Sequence, residues 1–223
     1  MLAELLALAV PPRCAACRAP GRRAADILCA ACLTALPWLT SPCCERCALA
    51  LPCGRRCPAR DADFDLAWSA VAYEGVARDV LHALKFAAAR PLADLMAEQI
   101  AASCPPALLR DGILVAVPAH PARRRSRGFD PAELLTRALA RRTGMPLARP
   151  LRRAGASSRQ LGLSRDVRRA PGRLGFSACG QSPPLTVLVD DVHTTGATFH
   201  ACAQALREGG AQRVVAISWA RTR

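Results

Sequence analysis

The stretch LTVLVDDVHTTGATFHACAQALREGGAQRVVAISW, residues 185–219, constrains the fold more than any other part of this 223-residue chain. An apolar run, Leu185 to Val189, ends in two adjacent carboxylates, Asp190 and Asp191. A Thr-Thr-Gly-Ala-Thr turn follows, then an amphipathic segment that closes at Gly209-Gly210, then a second apolar run from Val214 to Trp219. Strand, loop, helix and strand at this spacing predict a βαβ unit, and so a parallel sheet buried on both faces. Ligands of such sheets sit beyond the carboxyl ends of the strands, where this loop falls. Small residues let the backbone N–H groups of 194–198 converge on an anion, and a helix starting near Thr198 adds its positive end. The backbone therefore suits a phosphate, while the two carboxylates suit hydroxyls or a hydrated Mg²⁺.

Two common phosphate sites are excluded. A Walker loop needs Gly-Lys-Ser/Thr, which occurs nowhere in the chain, and a dinucleotide fingerprint needs three spaced glycines where only Gly196 is present. An ordinary strand–turn–helix with Thr194 or Thr195 as N-cap is the plainer alternative, but a cap explains neither carboxylate. Over Val187 to Phe199 the residues resemble the phosphoribosyl-pyrophosphate (PRPP) motif of the type I phosphoribosyltransferases. The resemblance implies that Asp190 and Asp191 hold the ribose 2′- and 3′-hydroxyls. Thr194, Thr195, Gly196, Ala197 and Thr198 would then cradle the 5′-phosphate.

The head of the chain is a different problem. Residues 14–57 contain Cys14-x-x-Cys17, Cys29-x-x-Cys32, Cys44-x-x-Cys47 and Cys53-x₃-Cys57. A segment this short, rich in Pro and Gly, cannot be stabilised by burial alone. Four thiolate pairs supply two tetrahedral Zn²⁺ sites, whose ligation provides the folding free energy. Spacing leaves open whether neighbouring or alternate pairs share an ion, and whether Cys43 or Cys44 ligates. A redox role for one CxxC is the competing reading. MLAELLALAV is too short for a membrane span, lacks a basic start and is interrupted by Glu4, although Ala-Leu-Ala at 7–9 faintly resembles a cleavage site. A short amphipathic helix and a cytoplasmic chain are expected, where paired cysteines are metal ligands rather than disulfides. The expected division is a zinc-binding module over 1–60 and an α/β domain over 61–223, with the boundary at Asp61–Asp65.

Charge points the same way as the phosphate loop. Against 17 acidic residues stand 31 basic ones, a formal net charge of +14, which favours polyanionic partners. Two four-thiolate zinc sites at about −2 each would bring the chain nearer to +10. Only one of the basic residues is a lysine, Lys85.

After the head, 66–73 alternates as a strand, and Val76, Val80, Leu81 and Leu84 recur at helical spacing. His82 reads as a surface or partly buried helix residue. A second helix is expected over Leu92 to Ala101, and a short buried strand over 113–117. Pro118-Ala119-His120-Pro121 and the arginines 123–127 then read as a basic loop ahead of a helix. Arg123 to Arg127 would neutralise a pyrophosphate there, with Ala119 and His120 offering backbone N–H groups; a solvated basic turn is the alternative. Cys104, Cys179 and Cys202 stand alone and read as buried small apolar groups.

A wider resemblance covers nearly the whole chain. VPAHPARRRSRGFDPAELL, the HALKF segment, GASSRQLGLSRDVRRAPGRLGF and the cysteine-rich head resemble the ComF family, competence-associated proteins with a zinc module ahead of a phosphoribosyltransferase-like domain. Asp130 departs from that family's usual Gly-Phe-Asn. Arg153, Gln160, Leu163-Ser164, Arg165 and Arg169 match its Arg…Gln…Leu-Ser…Arg stretch, which implies that 150–175 is the mobile loop that closes over PRPP. The implied fold is a type I phosphoribosyltransferase-like α/β domain behind a zinc ribbon. If the site is catalytic, pyrophosphate leaves ribose C1, with Mg²⁺ bridging ribose and pyrophosphate and Arg125, Arg127 or Lys85 offsetting the charge on the leaving group. Purine-specific members carry an Asp at the place of Thr194, so a 6-oxopurine acceptor is disfavoured. His193 either substitutes for that Asp or points to solvent. Three functions follow as expectations: a PRPP-dependent transferase, a non-catalytic PRPP or nucleotide sensor, and a protein that handles single-stranded DNA with the uptake machinery of natural transformation. Few aromatics (4%) are available to stack bases, so DNA contacts would be mainly Arg–phosphate.

Overall fold

A computed structural model describes residues 13–21, 26–40, 42–153 and 175–223. The expected parallel sheet is present. It has five strands: β1 (Leu66–Ala72), β2 (Ile113–Ala116), β3 (Leu147–Ala148), β6 (Leu185–His193) and β7 (Arg213–Arg221). All neighbours pair in parallel, in the order β1-β7-β6-β2-β3. The helices are α1 (Ala30–Thr34) in the head, α2 (Gly75–Phe86), α3 (Leu92–Ser103), α4 (Pro121–Arg127), α5 (Pro131–Thr143) and α6 (Ala197–Glu208). Strands β4 (Leu151–Arg153) and β5 (Phe176–Ala178) pair antiparallel as a separate ribbon.

The central strands are apolar on both sides because both sides are covered. On one face Val187, Val189, Val215 and Ile217 pack against α2, α3 and α5. Trp219 is fully buried there, and its indole N–H donates to Gln99 Oε1 at 2.7 Å, which satisfies the one polar atom of the ring. On the other face Leu188, Val214 and Ala216 pack against Phe199, Cys202 and Leu206 of α6, and against Cys47 and Phe64. Part of the cysteine-rich head thus stands in for a second helix.

Several elements differ from expectation. β6 does not stop at Val189 but continues through His193, so both carboxylates lie inside a strand whose pairing extends to His193↔Arg221. The periodicity could not show this, because polar residues at a carboxyl edge look like loop until a partner strand pairs with them. The basic stretch 123–127 is not a loop: it forms α4, started by Pro121 and capped by His120, whose Nδ1 accepts from Ala122 N at 3.2 Å. Cys104 and Cys202 are buried as expected, but Cys179 is exposed. Of the expected closing loop, residues 154–174 lie outside the described residues; its ends are β4 and β5, which lack the length to signal a strand in sequence.

Candidate functional site

Strand order places the site. From β2 the chain proceeds outward to β3, whereas from β6 it proceeds the other way to β7. The gap between β2 and β6 is therefore the topological switch point, where a crevice opens beyond the carboxyl ends. The two loops that flank it are 117–120, after β2, and 194–196, after β6. Register brings them together: Ala116 pairs with Val189, and Val117 N donates to Val189 O at 2.9 Å.

The 194–196 loop has the properties of an anion cradle. Gly196 caps α6 with φ +84°, and a Cβ there would come within 3.0 Å of His193 Nε2, so glycine is required by backbone and by space. Thr194, Thr195 and Ala197 are exposed and Thr198 is partly so. Thr195 Oγ1 accepts from Ala197 N at 3.3 Å, which sets the entry to the helix without a side-chain N-cap. Twelve-residue α6 points its positive end at the loop.

The two carboxylates occupy different environments. Asp191 is buried and pairs with Lys85 Nζ at 2.7 Å, so the single lysine reaches from the last turn of α2 to the strand end. Asp190 is half-buried, and its Oδ1 accepts from Asp191 N at 2.8 Å. Burial and the neighbouring Asp191 carboxylate push the Asp190 carboxyl well above its ordinary range, with that N–H and Lys85 opposing. A divalent cation would relieve this strain by favouring the ionised form. The oxygen-only donor set of this pair fits Mg²⁺ rather than zinc.

Lys85 therefore neutralises a carboxylate rather than standing free for a leaving group. Arg127 ends α4 with its guanidinium carbon 5.2 Å from the centre of the exposed Phe86 ring. His82 is exposed and stacks on Phe86, with ring centres 4.8 Å apart. Ala119 N is not free for a ligand: it donates to Asp130 Oδ2 at 2.8 Å. Asp130 also caps α5, its Oδ1 accepting from Ala132 N at 3.1 Å and Glu133 N at 3.4 Å. An Asn at this position would turn its amide nitrogen toward one of these N–H groups as a second donor, so the carboxylate suits all three. Burial raises the Asp130 carboxyl, against the pull of those three N–H bonds.

His193 neither faces an acceptor nor points to solvent. It is 2% exposed, edge-on to Phe199 at 5.2 Å and to Phe64 at 6.1 Å. Burial, helped by the nearby Arg221 charge, pushes it down to about 3, so the ring stays neutral. Its role is packing beneath the loop.

Sequence reasoning passed over Arg221 and Arg46. Arg221 is 4% exposed, and its guanidinium donates to the carbonyls of Cys47 (2.8 Å), His193 (3.0 Å), Thr194 and Thr222 (2.6 Å). Arg46 donates to Phe64 O at 2.7 Å, Asp65 O at 2.8 Å, Ala62 O at 3.0 Å and Ala59 O at 3.1 Å. In an arginine-rich chain neither position carried a signal. The acidic turn 61–65 is bonded on its other side as well: Arg207 clasps Asp65 at 2.7 and 2.8 Å and donates to Asp63 O.

The head gathers its thiols into two groups, Cys14, Cys17, Cys29, Cys32 and Cys44, Cys47, Cys53, Cys57, with all ligand atoms of a group within 4.8 Å of one another. Neighbouring pairs therefore share an ion. Sulfur separations of 3.7 Å (Cys17–Cys29) and 3.8 Å (Cys44–Cys57) match the roughly 3.8 Å edge of a tetrahedron with Zn–S near 2.3 Å. Burial works against the Cys14 thiolate, but N–H bonds from Cys29, Cys17 and Ala16 outweigh it and bring the thiol down to about 6. Cys44 is brought to about 7 in the same way by the N–H groups of Arg46 and Cys47. Cys43 is outside the group, its Sγ donating to Thr40 O at 3.4 Å. The zinc is structural, as its closed four-sulfur shells require.

Comparisons with known proteins agree on the head. Residues 5–60 match the family model of the double zinc ribbon domain. No curated protein matches the chain. Among solved structures, the allosteric regulatory enzyme of purine biosynthesis aligns with 56% of this chain at 22% identity and a TM-score of 0.39. A glutamine PRPP amidotransferase from B. subtilis, complexed with ADP and GMP, aligns with 57% at 23% identity and a TM-score of 0.38. The chain covers only 24% and 25% of those two proteins. Among the described residues no helix is long and apolar enough to cross a membrane.

Proposed function

We propose that this protein is a PRPP-binding, phosphoribosyltransferase-like protein of the ComF type that serves DNA uptake in natural transformation. One observation carries the ligand: a glycine-capped anion cradle and a carboxylate pair meet at the switch point of a parallel sheet. The cradle of Thr194 to Thr198 receives the 5′-phosphate. Asp190, and Asp191 held in place by Lys85, receive the ribose hydroxyls. Mg²⁺, when bound, supplies charge neutralisation between the ribose and the pyrophosphate. His120, at the start of α4 just after β2, offers its backbone to the pyrophosphate, and Arg127, at the other end of that helix beside Phe86, supplies a positive charge. The role in transformation rests on the family resemblance and on the basic charge of the chain.

Mg²⁺-dependent PRPP binding, followed by titration calorimetry on the full chain, tests the reading. Binding by the native protein and none by Asp190→Asn/Asp191→Asn is expected; equal heats from both would sink it. Release of pyrophosphate with candidate bases then separates a transferase from a sensor. The sensor reading is favoured by Thr194, which lacks the carboxylate that purine-specific relatives use, and by the Lys85–Asp191 pair, which leaves no lysine free for the leaving group. Binding to single-stranded DNA, titrated with salt, tests the third role, and a slope near zero would argue against phosphate contacts.

A further inference from the structure

We infer that Arg221 is a positioning residue for the ligand loop, and that metal in the second cysteine cluster governs the shape of that loop through it. The statement about PRPP affinity rests on the reading above; the coupling itself does not.

Arg221 ends β7 beside the end of β6, and its guanidinium lies between two carbonyl groups of different origin. Nε donates to Cys47 O, the carbonyl of a zinc ligand. Nη1 donates to His193 O and Thr194 O, at the start of the Thr-Thr-Gly-Ala-Thr turn. Thr222 N binds His193 O as well, at 3.0 Å, so this carbonyl is held from two sides. A planar fork of fixed geometry fixes the relative position of the Cys44–Cys47 turn and residues 193–194; a lysine has no comparable fork.

Beneath the loop the packing is equally connected. Phe64, His193 and Phe199 form an edge-to-face cluster, and Gly196 lies so close to the His193 ring that a Cβ would come to 3.0 Å from Nε2. Any movement of His193 therefore moves the cap of α6. Charge makes the link depend on metal. A guanidinium buried to 4% exposure needs a counter-charge, and a four-thiolate zinc centre supplies about −2 behind Cys47. Without metal the Cys44–Cys47 turn loses its anchor, and the Cys47 carbonyl that holds Arg221 Nε is no longer fixed against the 193–194 carbonyls. The first cluster has no such connection: among the described residues, no hydrogen bond joins its cysteines to the 193–198 loop.

The test is amide hydrogen exchange on the full-length, zinc-loaded chain, read on peptides covering 193–198, with 213–219 of β7 as an internal gauge of folding. Cys53→Ser removes a ligand from the second cluster and Cys17→Ser one from the first. Exchange at 193–198 should rise roughly tenfold in Cys53→Ser and in Arg221→Gln, and stay native-like in Cys17→Ser, with β7 still protected in all three. Arg221→Lys should fall between the native chain and Arg221→Gln. The double variant Arg221→Gln/Cys53→Ser should exchange no faster than either single one, because both break one link. Equal acceleration by Cys17→Ser and Cys53→Ser, additive acceleration in the double variant, or native exchange in Arg221→Gln would each overturn the inference. Should Cys53→Ser lose β7 protection, Arg221→Gln and Arg221→Lys decide alone. PRPP with Mg²⁺ is titrated in parallel, with affinity expected to fall about tenfold in Arg221→Gln. No binding by the native chain would count against the ligand reading, while the exchange data would still judge the link.

Discussion

The two cysteine clusters each gather two thiol pairs, with eleven residues between the pairs in the first and five in the second, and they are attached to the body in different ways. The segment that follows the first cluster lies along β1, the edge strand of the sheet. Leu39 N donates to Ala70 O at 2.9 Å, Ala72 N to Pro37 O at 2.8 Å, and Trp38 bridges Val71. It covers an edge that would otherwise expose unpaired backbone groups. Cys14, Cys32, Leu28 and Leu36 are buried in the same apolar layer as Val71. The second cluster has a backbone bond to β1 as well, from Ala67 N to Glu45 O at 2.7 Å, but adds side-chain fastenings: Arg46 closes on the 59–65 turn, Arg221 grips Cys47, and Cys47 is fully buried beneath α6. Metal ligation alone thus makes a ribbon fold; what surrounds it decides whether the ribbon protects a sheet or braces a site.

The largest expected difference comes from zinc. Replacing Cys57 by Ser should cost about 4 kcal/mol or more, since the loss spreads from the ion to Arg46, Arg221 and the layer under α6. Cys17→Ser should cost about half as much and leave β7 protected. Zinc content measured with thermal melting checks both, and equal losses of stability would erase the distinction. Next in size is Arg46→Ala, expected to cost about 2 kcal/mol because the partly buried carbonyls of the 59–65 turn lose a charged donor that bonds several of them at once. Chemical denaturation reads it, and a cost under about 0.5 kcal/mol would show that water replaces the guanidinium.

Across the crevice, Asp130→Asn should cost about 1–2 kcal/mol, since the cap survives but the Ala119 N–H loses its acceptor. The expected sign is opposite at Asp190. Its carboxyl is raised in the folded state, so its contribution to stability is fully present below the ordinary carboxylate range and is lost as pH rises through the raised value. Asp190→Asn should remove that loss, gaining about 1 kcal/mol, roughly 2–4 °C in Tm, near neutral pH while abolishing Mg²⁺-dependent PRPP binding. A melting profile across pH 4–8 that keeps its slope in the variant would assign the titration elsewhere. Smallest is Trp38→Ala: its ring is 42% exposed and its edge contacts are backbone bonds, so about 1 kcal/mol is expected.

Much of this was legible in residue types and spacing. The apolar runs at 113–117, 185–189 and 214–219 required a buried parallel sheet, because an apolar strand on both sides must be covered on both sides. Four cysteine pairs in a segment too poor in apolar residues to fold alone required metal. Asp190-Asp191 before a Thr-Gly turn marked where a strand end, two carboxylates and a glycine-capped helix start meet, since these residue types have local conformational preferences of their own. Those are local properties, carried by a residue's own bonding groups and its near neighbours in the chain.

Tertiary structure decided which partner each group meets. It extended β6 past the carboxylates by pairing them with Ser218 to Arg221, gave Lys85 to Asp191 and Ala119 N to Asp130, and turned His193 inward. Among the described residues it also chose Arg46 and Arg221 to tie the second zinc cluster to the body, Arg46 to the 59–65 turn and Arg221 to the 193–194 carbonyls. A donor fork is the same in every arginine. Only the fold determines which one is buried among carbonyls 174 residues apart in the chain, as Arg221 is from Cys47.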